Sequence, residues 1–125
     1  LNTPVKGSRG LEPLKSFSKE NNIPLGIIED KEAVNEAEIH MNMGDLWYCI
    51  EGFAEFIFGG KLIDPSPIKS VEGDVNEKEL KGKGIIGGSA IVMKAGDWVW
   101  IPAGQPHQHN AKGMARLFII KIPTA

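Results

Sequence analysis

The chain has 125 residues, 42% of them apolar and 24% charged, and its formal net charge is -2. That length fits one domain with a core of its own and leaves no room for two. The charge balance excludes the basic face with which a nucleic-acid binder neutralises phosphates. No apolar run approaches the roughly 20 residues of a membrane span, and the single cysteine, Cys49, excludes an intrachain disulfide.

Glycine (15) and proline (8) are scattered along the chain, with short apolar runs between them. This is the texture of an all-β sandwich or barrel. Near the start, Leu11, Leu14 and Phe17 recur at helical spacing and predict one short helix, which Asn21, Asn22 and Pro24 stop. From Val34 the period changes to two. Ala37, Ile39 and Met41 share one face, and Glu36, Glu38, His40 and Asn42 share the other. A turn is expected at Met43-Gly44, then a strand over 45–50 buried on both faces. Glu51-Gly52 is read as a turn, and Phe53 to Phe58 as the returning strand of a hairpin closed by Gly59-Gly60.

Residues 61–84 are polar, with Pro65 and Pro67, and read as a long excursion with one edge strand. Its lysines (Lys61, Lys69, Lys78, Lys81, Lys83) lie among Glu72, Asp74, Glu77 and Glu79, the pattern of a solvated mixed-charge segment. A broken strand over 85–93 follows, then a strand over 97–101 opened by Gly96 and a tight turn at Pro102-Ala103-Gly104. A strand begins at 107–110, and the last covers 115–122. The expected division is an N-terminal extension over 1–30, holding the helix and first strand, and a barrel over 31–125. The chain begins with Leu1 rather than Met. A cytoplasmic protein is the favoured expectation, and a mature exported form is the other reading.

His40 and Asp45 flank a turn between two strands, and His107 follows a Pro-x-Gly turn about sixty residues later. Two imidazoles and a carboxylate on rigid strands are the ligand set of an open catalytic metal site. Strand periodicity adds Glu38 to the face of His40 and His109 to the face of His107, and carries the face of Asp45 on to Trp47 and Cys49 as pocket residues. Other readings stand beside these. Asp45 also suits a turn cap after Gly44, His109 a surface position, and Cys49 a small buried hydrophobe. Trp98 and Trp100 read as core or subunit-interface residues.

These residues fall into two motifs that resemble those of the cupins. The first cupin motif runs Gly-x5-His-x-His-x3,4-Glu-x6-Gly, and this chain has Glu38-x-His40-x4-Asp45-x6-Gly52. The second runs Gly-x5-Pro-x-Gly-x2-His-x3-Asn, and this chain has Gly96-x5-Pro102-x-Gly104-x2-His107, with Ala111 in place of Asn. Glu32 stands where the leading glycine would be, Glu38 where the first histidine would be, and Asp45 where the glutamate would be. Asn42 is the other candidate for the second histidine position, at a spacing that fits less well.

The resemblance implies a jelly-roll barrel with the ion inside it. It implies His40 and His107 as ligands, Asp45 as a carboxylate ligand one methylene short, and Glu38 as a fourth ligand or a base. Two histidines and two carboxylates favour one divalent ion, Fe, Mn, Ni or Zn, over softer Cu(I). The function expected on this basis is that of a small metal-dependent enzyme acting on an oxygen-bearing small molecule, of dioxygenase, isomerase or lyase type. Glu38 or His109 would move the proton. The alternative is a non-catalytic module that binds metal and small ligand. Neither a nucleic acid nor a membrane is an expected partner. A homodimer is expected, because Leu46, Tyr48, Ile50, Leu117 and Ile119 read as an apolar face opposite the pocket.

Overall fold

The computed structural model describes residues 7–69 and 75–124. The elements in order are β1 (Gly7–Gly10), α1 (Leu14–Asn21), β2 (Leu25–Val34), β3 (Ala37–His40), β4 (Met43–Phe58) and β5 (Lys61–Leu62). After these come β6 (Ser66–Lys69), β7 (Val75–Gly82), β8 (Ile85–Ile86), β9 (Ser89–Lys94), β10 (Trp98–Ile101) and β11 (His107–Pro123). One short helix and a curled antiparallel sheet make this the all-β fold that the sequence texture implies and the jelly roll that the cupin resemblance implies. No helix among the described residues is long and apolar enough to cross a membrane. The helix stops where expected, with Asn22 taking up the left-handed conformation (φ 52°) that Asn tolerates.

Two long strands organise the sheet. β11 pairs with β4 on one side and with β2 and β3 on the other. β4 also pairs with β9 and β10, β7 joins β3 to β6, and β5 with β8 makes a separate two-stranded ribbon. All these pairs are antiparallel. The core is formed by the inward alternate residues of β4 and β11, Trp47, Cys49, Ala54, Phe56, Ala115, Leu117 and Ile119, closed by Met93, Val99 and Ile101.

Several expectations change. The turn after β3 falls at Met41-Asn42, and Met43 and Gly44 already belong to β4. Glu51-Gly52 does not reverse the chain. Residues 43–58 form one strand of 16 residues, and the pairing shifts register where Gly52 meets Ala115. Gly52 sits at φ 77° and supplies a bulge, which bends a strand without ending it. The final two strands are likewise one, β11, irregular between Ala111 and Met114. The segment 45–50 alternates: Asp45, Trp47 and Cys49 are buried, Leu46 and Tyr48 are half-buried, and Ile50 is exposed.

Leu117 and Ile119 belong to the inner face, not the outer one. Trp98 and Trp100 are 59% and 50% exposed, so neither is core. Trp98 packs at a tilt against Tyr48, and the Trp100 ring covers Gly44. Much of the stretch 61–84 is ordered pairing, β5, β6 and β7, rather than loop; Glu72 and Asp74 lie outside the described residues.

Candidate metal centre

Four hydrogen-bonded connections bring the separated residues together. Glu38 and His107 face each other across β3 and β11. Asp45 pairs with Lys121 on β11 and with Ile101 on β10. The turn that precedes His107 is tied to β3 directly, the Gly104 amide donating to the His40 carbonyl at 2.9 Å. Gly104 has φ 82°, which explains the glycine in the Pro-x-Gly turn. The turn is thus a clamp that sets His107 beside His40, with ring centroids 5.0 Å apart.

Glu38, His40 and His107 each offer a ligand atom, all within 4.8 Å of one another. Glu38 Oε2 lies 3.2 Å from His40 Nε2. Asp45 Oδ2 lies 3.2 Å from His107 Nε2 and 3.7 Å from His40 Nε2. The four residues line a cavity of about 380 Å³ together with Trp47, His109 and Lys121. Cys49 is not on this cavity; it is fully buried in the core, and burial raises its thiol pKa. His109 packs against Trp47 (4.8 Å) and Phe56 (5.8 Å), which also touch each other, and it lines the cavity as well.

The imidazoles are oriented from behind. His107 Nδ1 donates to the Gln105 carbonyl at 3.1 Å, and His40 Nδ1 donates to the Glu79 carboxylate. Carbonyl and carboxylate oxygens only accept, so each Nδ1 carries a hydrogen and each neutral ring turns a bare Nε2 inward. This is the arrangement that orients histidine ligands around a metal.

Asp45 Oδ2 is buried, has no hydrogen-bond partner among the described residues, and faces both Nε2 atoms. Lone pairs of two imidazole nitrogens and a carboxylate converge with no imidazole hydrogen between them, an arrangement that calls for a cation. The donor set therefore fits a divalent ion, and His40, His107, Glu38 and Asp45 are the residues that would hold it. Burial acts to lower the His40 pKa, yet contacts with the Glu38, Glu79 and Asp45 carboxylates outweigh it and raise the pKa above its ordinary value. Burial likewise acts to raise Asp45 and Glu38. Contact with His107 for Asp45 and with His40 for Glu38, together with the Lys121 charge, holds both below the ordinary carboxylate value.

Two residues of this centre escape sequence reading. Lys121 Nζ lies 3.3 Å from Asp45 Oδ1 and 3.2 Å from His40 Nε2. Leu117, Ile119 and Lys121 share one period-two face, but the sequence reads that face as outer, and only the closed sheet turns Lys121 inward. Glu79 stands in a mixed-charge run, and only its pairing with His40 across β3 and β7 brings it in.

No family model and no curated protein sequence matches the chain. Solved structures do. The EutQ protein of Clostridium difficile is 18% identical with a TM-score of 0.51, over 94% of this chain and 61% of that one. A recombinant oxalate oxidase in complex with glycolate is 19% identical with a TM-score of 0.55, over 98% of this chain and 53% of that one. The hydroquinone 1,2-dioxygenase PnpCD, in complex with Cd2+ and 4-hydroxybenzonitrile, is 14% identical with a TM-score of 0.56, over 80% of this chain and 57% of that one. This chain thus spans little more than half the length of these proteins. At such identities the likeness is one of fold, and it agrees with the strand order, the paired motifs and the inward-facing histidines: the chain is a protein of the cupin fold.

Proposed function

We propose that the protein is a small metal-dependent enzyme acting on an oxygen-bearing small molecule, of dioxygenase, isomerase or lyase type. The observation that carries this reading is the convergence of His40 Nε2, His107 Nε2 and the unpartnered Asp45 Oδ2, with Glu38 alongside, in an open cavity. His40, His107, Glu38 and Asp45 would hold a divalent ion, which would supply Lewis acidity toward an oxygen of the bound molecule. His40 and His107 hold their donor atoms still because Glu79 and the Gln105 carbonyl fix the rings. Glu38 and Asp45 balance the ion's charge. Lys121 presents an ammonium to an anionic oxygen, and His109 or Glu38 takes or returns a proton. Trp47, Ile28 and Ile119 form the apolar wall that excludes water. Support also comes from the likeness of fold to an oxalate oxidase and a hydroquinone dioxygenase.

A second reading, a non-catalytic module that binds a small ligand, is favoured by one observation. Lys121 already satisfies part of the donor set, so the cavity holds a positive charge of its own. Metal analysis decides between them. The enzyme reading expects one Fe, Mn, Ni or Zn per chain, lost in the His40→Ala/His107→Ala double variant. It also expects turnover, by oxygen uptake or product analysis, on a panel of diketones, catechols and 2-oxo acids. Stoichiometric metal without turnover leaves the binding module, and no metal after reconstitution removes the metal from both.

A further inference from the structure

A second buried carboxylate serves this cavity without joining the metal donors. Asp30, on β2, is fully buried, and its Oδ2 lies 2.7 Å from His109 Nδ1. Its Oδ1 has no partner among the described residues. Asn35 completes the cluster. Its side-chain amide donates to the His109 carbonyl at 2.7 Å and to Asp30 Oδ2 at 3.3 Å. With both amide hydrogens committed, the 3.1 Å approach of Asn35 Nδ2 to His109 Nδ1 is a contact between two donors. The hydrogen between His109 and Asp30 therefore belongs to Nδ1, since a carboxylate only accepts. His109 Nε2 is left as an acceptor. No hydrogen-bond partner reaches it among the described residues, and the His109 side chain, 15% exposed, lines the cavity. Trp47 and Phe56 pack against the ring, and the Asp30 bond at Nδ1 fixes its rotation.

We infer that Asp30 is a positioning residue that locks His109 with Nε2 as a hydrogen-bond acceptor, and that this atom recognises a hydroxyl of the bound molecule. The ligand class is a small hydroxylated compound, a hydroxy acid being the simplest that would also offer an anionic oxygen to Lys121. This rests on the reading of the cavity as a ligand site, but not on a metal being bound. A buried carboxylate used only for stability would need no open imidazole nitrogen beyond it. Here the chain from Asp30 through His109 ends at the cavity.

Nitrogen-15 NMR of the imidazoles tests the proposal, and only three histidines need assignment. In the whole protein His109 is expected as the Nδ1–H tautomer, changing to a mixture in Asp30→Leu. Glycolate is expected to shift His109 Nε2 at concentrations where acetate, which lacks the hydroxyl, does not. His109→Phe keeps an aromatic ring against Trp47 and Phe56 and should bind the two acids alike, so the test survives if Asp30→Leu fails to fold. An Nε2–H tautomer in the wild type, an unchanged tautomer in a folded Asp30→Leu, or an equal response to glycolate and acetate would overturn the inference. Metal content is measured on the same samples. Absence of metal with the expected tautomer and discrimination removes the metal reading alone. Bound metal with equal responses removes this one alone.

Discussion

At the residue scale the chemistry turns on which cation sits among His40, Asp45 and His107. Lys121 competes for two of those donors, His40 Nε2 and Asp45 Oδ1. Replacing it by Met removes both the competition and a like charge beside the ion. Lys121→Met should therefore bind Zn2+ more tightly than the wild type by calorimetric titration. Its metal-free form should lose about 1–2 kcal/mol in urea unfolding, because Asp45 is left buried with one partner fewer. Weaker zinc binding by this variant would contradict the assignment of Lys121 as a competitor.

The same groups set a pH dependence. His40 is raised, so its contribution to stability is complete below about pH 6.5 and fades as pH rises through the raised folded value. Asp45 and Glu38 are lowered, so theirs is complete above about pH 4.3 and fades as pH falls through the lowered folded values. With a chelator present, urea midpoints should be highest between those limits and fall on either side. With metal bound the alkaline loss should disappear, because ligation needs His40 and His107 unprotonated. A chelated protein more stable at pH 8.5 than at pH 5.5 would count against the His40 assignment.

At the element scale the two glycines of the bulge and the clamp do different jobs. A Cβ on Gly52 would lie 1.9 Å from the Met114 carbonyl oxygen, at a φ of 77° that already strains an L-residue. Gly52→Ala should cost about 2–4 kcal/mol, from strain plus the forced separation of β4 and β11. A Cβ on Gly104 meets nothing within 4 Å, so only its φ of 82° resists substitution. Gly104→Ala should cost about 1–2 kcal/mol. It should also weaken metal binding out of proportion to that loss, because the Gly104 amide ties the His107 turn to His40. Thermal unfolding and zinc titration of both variants separate the two effects. Equal loss of metal affinity in each would reject the clamp.

At the scale of the whole molecule, the outer surface is apolar in places that a monomer usually keeps polar. Trp98, Trp100, Ile50 and Val92 are exposed on β10, β4 and β9, with β4 pairing both of the others. The sheet that buries Trp47 and Cys49 inward turns these residues out. A homodimer that covers them is the expected assembly. Light scattering at micromolar concentration should give twice the chain mass, and Trp98→Glu should return it toward one. A wild-type monomer under those conditions would refute the assembly.

Much of this protein was legible in one dimension because its signals are local. Period-two alternation announces strands. Gly96, Pro102, Gly104 and His107 announce a turn whose shape is set by backbone torsions. His40, Asp45 and His107 stand out because strand parity puts each on an inner face. Bulge and turn look alike in sequence, since both ask for a glycine at positive φ, which is why Gly52 reads as the end of a hairpin when it bends a single strand. Which face of β11 is inner was open until β4 and β2 closed on either side of it, and so Leu117 and Ile119 exchanged places with the surface. Glu79, Asp30 and the contacts of Lys121 belong to tertiary structure alone. Each acts across strands 39 to 81 residues apart in the chain, and no local pattern specifies what a carboxylate or an ammonium will meet at that separation.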